Sequence, residues 1–156
     1  MNGQGRPKVG RTRVRRISRA LGLDKRPEEG IKYYSGKATY MKTFEVDLPA
    51  LGGNASRVYL NLGELNNVAE VRLNGKDVGV LWSKPFRAEI SAAVKNGKND
   101  LEIEIVNLWP NRLIGDASLP PDKWFSRTNV RKFTKDYPLL PSGLLGPVVV
   151  ESVAEQ

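Results

Sequence analysis

Cysteine and histidine are both missing from the 156 residues, and the two absences exclude whole classes of chemistry. Without them there is no disulfide framework, no Cys/His zinc site, no thiol nucleophile and no Ser-His-Asp triad. Only carboxylates, lysines, tyrosines and hydroxyls remain for catalysis. The lack of cysteine fits either redox environment, so it leaves the compartment open. Long hydrophobic runs are missing too. No stretch approaches the roughly 20 apolar residues of a transmembrane helix. After the basic N-terminus the longest apolar run is Ala20-Leu21, far short of the roughly 7–15 residues of a secretory h-region. No signal peptide is recognisable in this chain.

What is present divides in two by charge. Residues 1–26 hold nine Lys/Arg against Asp24 alone, which is the whole net charge of +8, whereas residues 27–156 hold sixteen of each sign. The basic stretch has Val14, Ile17 and Leu21 at helical spacing. The expectation is a tail over 1–26 that is disordered or forms one short helix around Arg13 to Leu21, outside the core, because so short a helix is marginal in water. Residues 27–156 are expected to form one domain, since the length suits a single core.

That domain reads as strands. In VAEVRLNGKDVGVLW, Val71, Leu73, Val78, Val80 and Trp82 alternate with polar or small residues around Asn74-Gly75, the pair that supplies the positive φ values of a tight hairpin turn. Phe86, Ala88 and Ile90 follow, and then Leu101, Ile103 and Ile105 alternate with Glu102 and Glu104. Further strands are predicted over Thr39 to Leu48, Arg57 to Leu62 and Pro147 to Val153. About seven strands and no convincing helix predict an all-β chain, a single antiparallel β-sandwich or jelly roll. Its expected core includes Val71, Leu73, Val78, Val80, Phe86, Ile90, Leu101, Ile103 and Ile105. Residues 107–143, with five prolines, two tryptophans and little periodicity, form a long excursion of the kind that is usually functional or mobile.

The motifs YYSG, VRLNGKDVGVLW, NLWPNRLIGD and SGLLGPV occur in this order over residues 27–152. In them the chain resembles the galactose-binding-like, or sugar-binding, β-sandwich domain of family 2 type glycoside hydrolases. It is most similar to the version near the end of large family 106 α-L-rhamnosidase-like proteins. Residues 1–26 have no counterpart in that resemblance. It implies an accessory domain, because in such enzymes the catalytic carboxylates belong to a separate domain of several hundred residues. No catalytic residue is therefore assigned. The residues agree, since Glu102 and Glu104 at i, i+2 read as the solvated side of an amphipathic strand, not as a pair spaced about 5–10 Å across a bound sugar.

Sugars present apolar C–H faces that stack on flat rings and hydroxyls that pair with amides, carboxylates and guanidinium groups. The carbohydrate-binding candidates are Trp109, Asn111, Arg112, Asp116, Trp124 and Tyr137, with Trp82, Tyr33 and Tyr34 beside them. Each has a plainer reading. Trp82 ends a core strand and would be a packing residue, and Arg112 with Asp116 would be an internal ion pair that pins the long loop. No cofactor is expected, although loop carbonyls and Asp or Asn side chains also suit a structural Ca²⁺. The metal ligands, if any, are unknown.

The function expected is a non-catalytic carbohydrate-binding or accessory domain that takes an oligo- or polysaccharide weakly and accompanies a catalytic glycoside hydrolase domain. One alternative is a structural remnant without a ligand, marked by a core-facing set of tryptophans and a flat apolar patch where a partner sat. A second is nucleic-acid or membrane-surface association through the basic tail, marked by steep salt dependence; the neutrality of residues 27–156 argues against nucleic acid. The resemblance suggests a periplasmic or secreted setting.

Overall fold

A computed structural model describes residues 12–18, 22–52, 56–129 and 132–154. Among them, ten strands and two short helices follow in order: β1 Thr12–Ser18, α1 Glu29–Lys32, β2 Lys37–Val46, β3 Ser56–Asn61, β4 Glu64–Asn66, β5 Val68–Leu73 and β6 Lys76–Leu81. Then come β7 Arg87–Glu89, β8 Gly97–Val106, α2 Pro110–Asp116, β9 Gly143–Gly146 and β10 Val148–Ala154. Two four-stranded sheets, ordered β1-β10-β3-β7 and β2-β8-β5-β6, face one another, and β4 and β9 form a small third sheet. Every strand pair is antiparallel. The chain is the predicted all-β sandwich.

Alternation explains the core. On β8, Leu101, Ile103 and Ile105 point inward and are buried, with Glu102 and Glu104 between them on the outer face. Across the ladder they meet Leu73, Val71 and Ala69 of β5, all fully buried. Val58, Leu60, Val148 and Val150 close the core from the other sheet, with Phe86 and Ile90 beside them. Each such side chain contributes about 1.5–3 kcal/mol of burial. The hairpin turn falls on Asn74 (φ 53) and Gly75 (φ 77), as expected.

Three expectations need correction. Val80 is 53% exposed and Trp82 is 73% exposed, so neither belongs to the core. The cause is a bulge in β6. Val71 pairs with Gly79 but Arg72 pairs with Asp77, so Val78 is an extra residue and the side chains after it change face. Val78 and Leu81 pack on the core, while Val80 and Trp82 point out.

The second correction concerns the basic segment. Thr12–Ser18 is a strand paired along β10, not a helix or a loose tail. β10 would otherwise leave an open ladder edge, and β1 satisfies it. Arg13, Val14, Arg15 and Arg16 are exposed while Ile17 rests against the core, so an arginine-rich sequence suits this edge position. Beyond it, Leu23 and Asp24 are buried. Both meet the Ser142 backbone: the Leu23 N–H donates to its carbonyl at 2.8 Å, and the Asp24 carboxylate accepts its N–H at 3.1 Å. The remainder of the expected tail, 1–11 and 19–21, lies outside the described residues.

Third, part of the excursion is helical. Pro110 opens α2 at its first turn, where a missing N–H costs nothing.

Candidate functional site

Helix α2 and the chain that wraps it hold most of the predicted sugar-binding residues, and the structure separates them by role. Asn111 is buried. Its amide nitrogen donates to the Leu140 carbonyl at 2.7 Å and its oxygen accepts the Leu140 N–H at 2.8 Å, so one side chain imitates a strand partner. Asn107, between β8 and α2, accepts the Gly143 N–H at 2.8 Å. Both amides hold the returning chain 140–143 against the sandwich.

Asp116 is also buried. It accepts the backbone N–H of Phe125 at 3.2 Å and of Ser126 at 2.9 Å, and a close hydrogen bond from the Ser126 hydroxyl. Arg112 Nε lies 3.0 Å from Asp116 Oδ1, an i, i+4 ion pair rather than an aligned hydrogen bond. Burial pushes the Asp116 carboxyl up, but the Ser126 and Phe125 donors and the Arg112 charge outweigh it and leave it below the usual carboxylate value. The plainer reading of this pair therefore describes its geometry: it pins the loop.

The aromatic residues behave differently. Trp109 is 69% and Phe125 77% exposed, and Trp124 is 42% exposed with its indole N–H donating to the Leu119 carbonyl at 2.9 Å. The Arg112 guanidinium carbon lies 4.6 Å from the Phe125 ring centre and 5.8 Å from that of Tyr33, stacking that holds the side chain extended. Two adjoining cavities open here and share Leu113, Ser126 and Thr128. One, of about 610 Å³, lies among Tyr34, Ser35, Trp109, Arg112, Phe125 and Arg127. The other, of about 440 Å³, lies among Ala117, Trp124, Phe133, Thr134, Lys135 and Asp136.

Trp109, Arg112, Asp116 and Trp124 thus border one bipartite groove, although Asp116 meets it from a buried position. Tyr137 lines neither cavity; its ring packs edge-on against Phe133, with centroids 5.1 Å apart. Trp82 lines neither cavity and stands on the outer face of β6. The sequence reading missed Ser35, Arg127 and Thr128, which carry polar groups at the groove. The cationic run of the loop was the available signal for Arg127; an isolated serine or threonine gave none. Among the described residues no cluster of three or more acidic, histidine or cysteine side chains is placed to hold a metal, and no helix is long and apolar enough to cross a membrane.

Comparison with known proteins gives the same fold and its context. A protein of Formosa agariphila named "Putative beta-glucuronidase" is 42% identical over 151 residues, which span 82% of this chain and 13% of that protein. The structure of a rhamnosidase from Novosphingobium sp. PP1Y superposes with a TM-score of 0.74 at 36% identity, covering 97% of this chain and 16% of the rhamnosidase. A β-D-glucuronidase structure from Dictyoglomus thermophilum shares the fold at 21% identity, with a TM-score of 0.59 over 99% of this chain and 30% of that one. The chain therefore spans a small fraction of the length of these relatives. Residues 23–138 match the family described as glycosyl hydrolase 2 galactose-binding domain-like. On that match the chain belongs to the glycosyl hydrolase 2 galactose-binding domain-like family.

Proposed function

We propose that this chain is a non-catalytic carbohydrate-binding accessory domain and that its sugar site is the groove beside α2. The observation that carries the reading is the exposed pair Trp109 and Phe125, bordering a cavity that also presents the Arg112 guanidinium and the hydroxyls of Ser35, Ser126 and Thr128. Flat rings suit the C–H face of a pyranose, and the polar groups between them suit its hydroxyls. Asp116 contributes indirectly, by fixing the loop that carries Phe125, and Asn111 by anchoring the returning chain at Leu140.

Affinity is weak on this reading. An open site with one or two stacked rings gives dissociation constants from millimolar to high micromolar, roughly −4 to −6 kcal/mol. Titration calorimetry with rhamnose- and galactose-containing oligosaccharides tests it on the wild type, Trp109→Ala and Trp124→Ala, each checked for unchanged melting. Binding that is lost in Trp109→Ala supports the groove. Binding that survives both substitutions moves the site elsewhere, and no binding to any glycan favours a structural role. That second reading has its own support in Val80 and Trp82, which stand exposed on the outer face of β6 where a catalytic glycoside hydrolase domain would cover them.

A further inference from the structure

The larger cavity of the α2 groove has a sign of charge. Arg112 and Arg127 both line it, and no carboxylate does among the described residues. Residues 27–156 are neutral as a whole, and from the stretch between Ala117 and Leu140 the cavities take Arg127 and Lys135 against Asp136. The two arginines lie beside Trp109 and Phe125, whereas Asp116 and Asp136 line the cavity beside Trp124.

Arg112 is oriented before any ligand arrives. Asp116 holds its Nε edge at 3.0 Å and Phe125 lies 4.6 Å from its guanidinium carbon, so little rotamer entropy remains to be lost on binding. Asp116, which also accepts two backbone N–H groups and the Ser126 hydroxyl, offsets the Arg112 charge, so the excess positive charge of this cavity is that of Arg127. Arg127 is exposed. A neutral sugar would give these two planar donors nothing stronger than hydroxyls, whereas a carboxylate or sulfate accepts from a guanidinium in paired, charge-assisted hydrogen bonds.

Resting on the reading of the groove as a sugar site, we propose that it selects anionic saccharides: a ring stacked on Trp109 or Phe125 places its carboxylate or sulfate between Arg112 and Arg127. The stacking supplies affinity common to all sugars. The arginines supply the discrimination.

The test is calorimetry on the full chain with three oligosaccharides of matched length, an oligogalacturonate, a neutral galacto-oligosaccharide and a sulfated galacto-oligosaccharide, at low and at high salt. At least one acidic ligand is expected to bind roughly three- to tenfold tighter than the neutral one at low salt, with the advantage shrinking as salt rises. The uronate and sulfate arms show which anion is preferred. Arg127→Gln, at an exposed position, is expected to narrow the acidic-to-neutral ratio toward one, while Trp109→Ala weakens all three ligands. Equal binding of acidic and neutral ligands overturns the selectivity and leaves the sugar groove standing. No binding of any of them removes the sugar reading itself. Binding of a short single-stranded oligonucleotide as tight as the oligogalacturonate, with Trp109→Ala affecting neither, overturns the proposal in favour of general attraction between cations and polyanions.

Discussion

Asp116 is a carboxylate with its donors built around it, and removing either side of that arrangement leaves a buried group unpaired. Asp116→Ala is expected to cost about 2–4 kcal/mol, because Arg112 and two backbone N–H groups lose their partner together; chemical denaturation measures it, and a loss below about 1 kcal/mol would contradict the burial. The pH dependence has a definite sign. The folded carboxyl titrates below its ordinary value, so its contribution is complete above about pH 4 and is lost as pH falls through the lower folded value. Asp116→Asn should therefore flatten the acid limb of the stability profile while leaving its slope above pH 5 unchanged. Residues of this kind mark where sequence reading stops. Asn111 and Asp116 read as sugar ligands from sequence because amides and carboxylates make directional hydrogen bonds, and a loop that must be pinned needs the same chemistry. Which partner they take depends on burial, and burial at this site depends on Leu140 and Ser126, distant in sequence or out of helical register.

Elements with a strict period of two were legible, since β5 and β8 each put one apolar set on one face and the Asn74-Gly75 turn fixed their approach. The bulge in β6 was not. Alternation through Val78 and Val80 looks unbroken on paper, and only the pairing partner reveals the extra residue. Gly79 takes φ 124 there, and a Cβ added to it would meet nothing within 4 Å. Gly79→Ala should therefore destabilise through the backbone alone, by about 1–3 kcal/mol, whereas Gly30→Ala, with equal space and no positive φ, should cost far less. Equal melting temperatures for the two variants would remove the strain argument. Strand β1 was illegible for another reason: its spacing of Val14 and Ile17 suits a helix turn, and the partner that makes it a strand lies some 135 residues away. Deleting residues 1–18 is expected to cost about 1–3 kcal/mol and to speed hydrogen exchange along Val148–Ala154. A truncated protein with unchanged melting and unchanged protection of those amides would mean that β1 adds nothing to the sheet.

At the scale of the whole molecule, the fold class, the hairpin and the position of the excursion were all accessible from patterning, because a sandwich needs little more than alternation and turns. The groove needed the third dimension. Catalysis is expected to be absent. Glu102 and Glu104 lie on the outer strand face, where Glu104 is tied to Lys37 at 2.5 Å, and Asp100, which lines a cavity together with Glu102, stands beside it on the same strand with its carboxylate accepting from the Thr43 hydroxyl, not facing it across a bound sugar. Assays with aryl glycosides, the α-L-rhamnoside included, should give buffer rates; turnover abolished by Glu102→Gln or Glu104→Gln would reverse that.

The pairing of Thr12 with Val153 in the ladder between β1 and β10 means that the chain enters and leaves the sandwich side by side, one ladder spacing of about 5 Å apart. A domain with that geometry is modular in the strict mechanical sense. It can be spliced into a surface loop of a larger protein by opening a single peptide link, with neither flank stretched. The same closeness permits Thr12 to be joined to Ala154 by a few residues and new ends cut elsewhere, for instance between the exposed Asp122 and Lys123. Such a circular permutant should fold with the sheet order β1-β10-β3-β7 intact.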